Sequence, residues 1–138
     1  WQQRPREKGL GLERLGLPAN RPLHVFDFWG RTRSRHTGPI LHLGTLAPHA
    51  SRLVRLCLAD GPGPCLAGST LHITQGLEVA ALRAEGGDRV VVQLHDLGRP
   101  AEGELWLALP GGKPLPVPVA ARGKAELFWN LRDPSPRE

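Results

Sequence analysis

Short apolar runs separated by turn-forming residues recur along the whole chain. No segment keeps apolar positions at i, i+3, i+4 and i+7 over three turns, which is the pattern of an amphipathic helix. Short runs that return every 8–12 residues or so are instead typical of a sandwich or a barrel. The pattern therefore predicts an all-β fold, an antiparallel β-sandwich of about eight strands with Greek-key-like connections.

Two segments give local detail about this sandwich. Glu85-Gly86-Gly87-Asp88 lies between two apolar runs and predicts the tight turn of a β-hairpin. Leu115, Val117 and Val119 alternate with prolines, which cannot donate a hydrogen bond to a neighbouring strand. We therefore expect this run to form an edge strand.

The N-terminal half contains the clearest strand start, Leu-His-Val-Phe-Asp-Phe-Trp at residues 23–29. Leucines at positions 10, 12 and 15 predict a shorter strand before it, and the polar residues 1–8 predict a loose end. Asp27 lies between two phenylalanines, so its side chain is expected to point away from theirs and to face solvent or to cap a turn.

Length and composition favour one domain spanning residues 1–138, because 40% of the residues are hydrophobic and 17 glycines and 14 prolines are spread throughout. The sequence has no methionine and begins at Trp1. We therefore expect it to be part of a longer protein. A signal peptide and an apolar run of about 18 residues are both absent from the sequence, so no membrane partner and a cytoplasmic location are expected.

The charge is basic, with a net charge of +5 and 15 arginines against 3 lysines. This bias, without methionine or tyrosine, indicates a GC-rich, thermophilic source. Arg31, Arg33 and Arg35 form the one tight cluster, which allows a nucleic-acid contact. A solvated hairpin loop is the favoured interpretation, because aromatic residues do not alternate with these arginines.

Cysteine and histidine offer little evidence of a metal or redox centre. Cys57 and Cys65 flank a Gly- and Pro-rich turn, and two cysteines do not make a disulfide scaffold. Free, buried thiols are expected in preference to a bridge. The six histidines lack the spacing of a zinc site, so neither a metal nor another cofactor is predicted.

The most unusual polar segment clusters Ser69, His72, Thr74 and Gln75 within an apolar context. These side chains could bind a sugar or hold a loop in place, and a structural network at a sheet edge is the favoured interpretation. A glycosidase needs two carboxylates across the scissile bond. The acids here are scattered, mostly in turns, so no catalytic residue is assigned.

Several segments together resemble a known family. These are Val-Phe-Asp-Phe-Trp at 25–29, Leu-Ala-Pro-His-Ala-Ser-Arg at 46–52, Leu-Ala-Gly-Ser-Thr-Leu-His-Ile-Thr-Gln-Gly at 66–76 and Glu-Leu-Trp-Leu-Ala-Leu-Pro at 104–110. Their order and spacing are similar to the C-terminal domain of melibiase-type α-galactosidases, and Trp1 is similar to the last residue of that family's Phe-Asn-Trp motif. The resemblance covers roughly residues 1–110, and the proline-rich strand departs from it.

The resemblance implies a non-catalytic role. In the family, the catalytic aspartates lie on a (β/α)8 barrel, and the sandwich that follows packs against that barrel. The chain is therefore expected to be the accessory domain of a glycoside hydrolase, with Phe26, Phe28 and Trp29 as interface aromatics and with homo-oligomer contacts as a further role. The alternative is a carbohydrate-binding module whose stacking platform is formed by Trp29, Trp106 and Trp129.

Overall fold

The structure is a computed structural model that describes residues 4–131. Strands account for 52% of these residues and helix for 3%. All strand pairs are antiparallel. The predicted all-β class is therefore confirmed. The strands are β1 (Arg6–Gly11), β2 (Leu23–Asp27), β3 (Thr32–His36), β4 (Ile40–Leu46), β5 (Val54–Leu58), β6 (Cys65–Ser69), β7 (Val79–Glu85), β8 (Arg89–Leu94), β9 (Ala101–Ala108), β10 (Leu115–Ala121) and β11 (Ala125–Asn130).

The expected single sandwich of about eight strands is wrong in its arrangement. The eleven strands form four small sheets, with the orders β1-β4, β3-β2-β5, β10-β9-β6 and β11-β8-β7. Three of the seven strand pairs contain a register shift, as in β6 between Leu66 and Gly68. Such bulges bend a strand and end its regular pairing, which favours several short sheets over two long ones.

Two three-stranded sheets, β10-β9-β6 and β11-β8-β7, contribute to the larger core. Successive side chains of a strand point to opposite faces of its sheet. The alternating apolar residues of these strands therefore share one face and pack into a single cluster. We call this cluster the larger core. Its buried members are Leu66, Leu71, Val90, Val92, Leu94, Leu105, Leu107, Val117, Val119 and Leu131.

A separate cluster, the smaller core, lies with the β1-β4 pair and the β3-β2-β5 sheet. Its buried members are Leu12, Leu23, Val25 and Leu41. Leu12 belongs to a 3₁₀ turn at Leu12–Leu15, where the sequence predicted a strand. The turn ends at Gly16, whose φ of 67° lies in the left-handed region that glycine tolerates.

The two cores meet where Phe26 of β2 lies over Gly68 of β6. Phe26 projects from the face of β2 opposite to Leu23 and Val25, and it is only 1% exposed. A Cβ atom at position 68 would lie 2.3 Å from the Phe26 ring, and the Trp106 ring of β9 lies 5.8 Å from it between centroids. A side chain at position 68 would therefore press on the Phe26 ring. This contact joins the two parts of the fold, and we call it the junction.

Other local predictions have mixed outcomes. The hairpin at 85–88 is confirmed, since β7 and β8 pair through Glu85 and Arg89, and β10 is confirmed as an edge strand. The Arg-rich segment was predicted as a loop. Arg31 does lie in a turn, but Arg33 and Arg35 belong to the edge strand β3, since such a strand can carry charged side chains. The polar N-terminal residues likewise contribute to β1, where a loose end was expected.

The helical content of residues 4–131 is limited to the 3₁₀ turn, and a helix with the length and apolar character needed to cross a bilayer is absent from this range.

Candidate functional site

The polar segment predicted from the sequence forms a closed loop between β6 and β7. Ser69 is fully buried; its hydroxyl accepts a hydrogen bond from the Leu71 amide at 3.1 Å and donates one to the Glu78 carboxylate. The Gln75 side chain accepts a hydrogen bond from the Ser69 amide at 3.2 Å and donates to the carbonyl oxygens of Ser69 and His72. The loop thus satisfies its buried backbone groups with its own side chains.

Backbone conformation and an arginine fix the end of this loop. Gln75 and Gly76 have φ values of 56° and 128°, both in the left-handed range. Arg55 of β5 reaches across, donating from Nε to the Leu66 carbonyl at 2.7 Å and from Nη1 to the Gln75 carbonyl. A left-handed conformation costs more energy for Gln75 than for glycine. Hydrogen bonds to the Gln75 carbonyl and from the Gln75 side chain hold this residue in place.

His72 and Thr74 form a second pair on the outer side of the loop. The Thr74 hydroxyl lies 2.9 Å from His72 Nδ1, and the Thr74 amide donates to the same nitrogen at 3.3 Å. An Nδ1 that accepts from an amide places the neutral ring's hydrogen on Nε2. His72 is half-buried, and the same loop carries Ile73 and Leu77, which are 47% and 59% exposed. The structure thus brings all four predicted residues together, with His72 Nε2 outside these hydrogen bonds.

Glu78 belongs to this network and was missed by the sequence analysis. It is 1% exposed, and its Oε2 has no hydrogen-bond partner among the described residues. Glu78 also lines a small cavity of about 10 Å³ together with His95 and Arg99, which is enough space for about one water molecule. The sequence gives no signal for this acid, because a single glutamate before a strand normally faces solvent.

The three predicted interface aromatics occupy different environments. Phe26 is buried at the junction of the cores, Phe28 is half-buried and Trp29 is 58% exposed. The Phe28 and Trp29 rings pack edge to face, with centroids 4.9 Å apart and an interplanar angle of 73°. We call Phe28 and Trp29 the aromatic turn.

Asp27 braces the aromatic turn. Its Oδ1 accepts a hydrogen bond from the Gly30 amide at 3.0 Å, so it caps the turn as expected. Its Oδ2 forms an ion pair with Arg52 Nε at 3.0 Å, and the Phe28 amide donates to the Leu53 carbonyl at 2.9 Å. The exposed indole of Trp29 is therefore presented on a turn that is fixed by three polar contacts.

Two arginines of the cluster, Arg33 and Arg35, lie on β3, whereas Arg31 lies in the turn before it. Arg33 is paired with Phe26, and its guanidinium lies 5.5 Å from the centroid of the Trp106 ring. Arg35 is paired with His24, which is 3% exposed. Burial, together with the charges of Arg35 and Arg33, lowers the pKa of His24 and favours its neutral form.

The tryptophans named for a sugar platform lie on three different elements, the aromatic turn, β9 and β11. Among residues 4–131, Trp29 is the only exposed tryptophan, whereas Trp106 and Trp129 are partly buried. Trp1 lies outside the described residues. A cluster of three or more His, Cys, Asp or Glu side chains that could hold a metal ion is not found within this range.

Comparison with known proteins gives no relative. The chain matches no protein-family model, and no curated protein or solved structure matches it.

Proposed function

We propose that the chain is a non-catalytic accessory domain of an α-galactosidase-like glycoside hydrolase and packs on that enzyme's catalytic (β/α)8 barrel. The observation that carries the proposal is the exposed indole of Trp29, at 58%, within the Phe-Asp-Phe-Trp segment that resembles the family. Large aromatic side chains on a fixed turn are typical of the central contacts of protein interfaces. The catalytic barrel is the partner that the resemblance implies.

The polar loop supports a structural role for the other family-like segment. Ser69 and Gln75 direct their hydrogen bonds inward, to the loop's own backbone and to Glu78. Side chains engaged in this way hold the chain in place and are not free to bind a substrate. The loop therefore supports the first proposal more than it supports the alternative of a carbohydrate-binding module, which remains a prediction.

The test is to express the chain both alone and together with the sequence encoded directly before it, and to measure hydrolysis of a nitrophenyl α-galactoside. The proposal expects activity only in the longer protein. Trp29→Ser should then lower the thermal stability of the longer protein while leaving the isolated chain nearly unchanged, because the lost contact lies between the two parts.

Phe128→Ser is the matched control, since Phe128 is 61% exposed but lies on β11, away from the aromatic turn in sequence. It should affect the longer protein and the isolated chain equally. Hydrolysis by the chain alone would refute the non-catalytic role. An inactive longer protein would refute the glycoside hydrolase assignment, and equal effects of the two substitutions would refute the Trp29 interface.

A further inference from the structure

β11 is an outer strand of the β11-β8-β7 sheet, so within residues 4–131 it pairs with a strand on one edge alone. The ladder with β8 shows which backbone groups lie on the other, open edge. Its register continues to Leu131 opposite Asp88, and the Leu131 amide donates a hydrogen bond to the Asp88 carbonyl at 3.0 Å. Leu131 and Asp88 are therefore a hydrogen-bonded pair of this antiparallel ladder.

Hydrogen-bonded pairs alternate with non-hydrogen-bonded pairs along an antiparallel ladder. Counting back from Leu131, Trp129 and Leu127 direct their backbone groups to β8. Phe128 and Glu126 direct theirs to the open edge. The side chains of Phe128 and Glu126 are also exposed, that of Phe128 at 61%. The open edge thus presents N–H and C=O groups at the spacing that another strand would need.

Several other edge strands of the described chain carry features that discourage further pairing. Pro116 and Pro118 leave β10 without backbone donors at those positions. The Leu43 carbonyl of β4 accepts a hydrogen bond from Arg52, two arginines lie on β3, and β7 contains a register shift. β11 has one charged residue, no proline and a continuous register with β8. Its open edge is therefore better suited to pairing than these.

The side chains beside this edge are held in place on the outer face of the sheet. Phe128 lies opposite Val91, which is 1% exposed, and the Arg89 guanidinium lies 4.0 Å from the centroid of the Phe128 ring. The single charge of the strand is balanced, since Glu126 Oε2 lies 3.3 Å from Arg83 Nη2. An incoming strand would therefore meet a fixed phenyl ring and no uncompensated charge.

We propose that β11 pairs antiparallel with β11 of a second copy of this chain, about a twofold axis at Phe128. The two three-stranded sheets then become one sheet of six strands. A second copy brings the same outward backbone groups, and a twofold contact uses the same surface on both chains. The proposal is independent of the glycoside hydrolase assignment.

The register follows from the side chains of the outer face. With Phe128 on the axis, each Phe128 ring lies opposite its own copy, and aromatic cross-strand pairs stabilise a sheet. Glu126 lies opposite Asn130 of the second copy, so two carboxylates do not face each other. Phe128 also directs its backbone groups to the open edge, so the central pair is a hydrogen-bonded one.

The test measures the mass of the chain by analytical ultracentrifugation over a wide range of concentration. A reductant is present because Cys57 and Cys65 are free and only half-buried, where buried thiols were expected. The mass should rise from that of one chain toward that of two. Phe128→Lys should raise the dissociation constant about tenfold or more, because ring burial is lost and like charges are opposed. Leu77→Lys is the matched control, since Leu77 is 59% exposed in the loop before β7 and should retain the association.

Two further measurements test the register. Phe128→Glu should also fail to associate alone, whereas an equimolar mixture with Phe128→Lys should associate, because the axis then opposes unlike charges. In NMR hydrogen exchange of the wild-type chain, the Glu126 and Phe128 amides should become protected as concentration rises, while amides of β10 stay unchanged. Thermal unfolding checks that each variant is folded.

Three results would overturn the proposal. The first is a wild-type chain that remains a monomer at every concentration, with no concentration-dependent protection in β11. The second is a dimer that Phe128→Lys and Leu77→Lys affect equally, which would place the contact elsewhere. The third is a mixture of the Lys and Glu variants that associates no better than either variant alone.

Discussion

The larger core buries ten apolar side chains, whereas the smaller core buries four. The larger core includes β8 and β9, the central strands of its two sheets. Their residues Val90, Val92, Leu105 and Leu107 are almost fully buried. We call the sheets around each core the smaller half and the larger half of the fold. In the smaller half, the central strand β2 is covered on both faces. One carries Leu23 and Val25 of the smaller core, and the other carries His24 and Phe26, with Phe26 covered by Gly68 of the larger half.

This difference indicates that the smaller half depends on the larger half for its stability, whereas the larger half depends less on the smaller. The sheets around the larger core bury their apolar faces against each other. The β3-β2-β5 sheet also needs the larger half to cover Phe26, which would otherwise expose a large aromatic surface to water. We therefore infer that the smaller half opens first and that its stability is determined at the junction.

The largest expected effect comes from removing one core leucine in each half. Leu12→Ala and Leu107→Ala should each lower the free energy of unfolding by about 2–5 kcal/mol, since both side chains are fully buried. Hydrogen exchange measured by mass spectrometry should distinguish the effects of the two substitutions. Leu12→Ala should increase exchange in β1 and β2 while β8 and β9 stay protected, whereas Leu107→Ala should increase exchange in all four strands.

Leu15→Ala serves as the control, because Leu15 is half-exposed and its loss should change stability by less than about 0.5 kcal/mol. If Leu12→Ala increased exchange uniformly throughout the chain, the two cores would unfold as one cooperative unit. That result would contradict the inference that the smaller half opens first.

The next effect concerns the junction itself. Gly68→Ala should lower the free energy of unfolding by about 1–3 kcal/mol, because the added methyl group would meet the Phe26 ring. Combining it with Phe26→Leu should recover part of the loss, since a smaller side chain leaves room for the methyl group. Thermal unfolding of both single variants and the double variant gives the coupling.

Gly63→Ala is the matched control, as a Cβ atom there meets no other atom within 4 Å. Strict additivity of Gly68→Ala and Phe26→Leu would show that the two positions do not press on each other.

The sequence predicts those parts of the fold that depend on local chemistry. Alternation identifies most strands, the two glycines at 86 and 87 identify the β7-β8 hairpin, and the prolines around Val117 identify an edge strand. The division into four sheets was not predictable, because strand partners depend on packing between distant segments. β3 was missed for a related reason: its charged residues carry no apolar alternation, and it is ordered by pairing with β2.

The candidate site was predictable to a similar extent. Ser69 and Gln75 could be identified as polar residues in an apolar run, but their buried acceptor Glu78 could not, because only the folded loop brings it to Ser69. Phe26 and Trp29 were grouped as interface aromatics from one motif. The structure gives them opposite exposures, because the strand ends at Asp27 and the chain turns.

The smallest effect tests the basic side of the junction through pH. Burial, Arg35 and Arg33 lower the pKa of His24 in the folded state, so the unfolded chain binds a proton more readily. Stability should therefore rise with pH up to about 6.5, the ordinary pKa of histidine, and then level off. The slope should stay below the roughly 1.4 kcal/mol per pH unit of one full proton.

His24→Leu should flatten this rise of stability with pH when stability is measured by chemical denaturation, whereas replacement of the exposed His42 by Gln should retain it. A rise that persists unchanged in His24→Leu would place the titrating group elsewhere, and the junction would then owe its stability to Phe26 and Gly68 without a contribution from neutral His24.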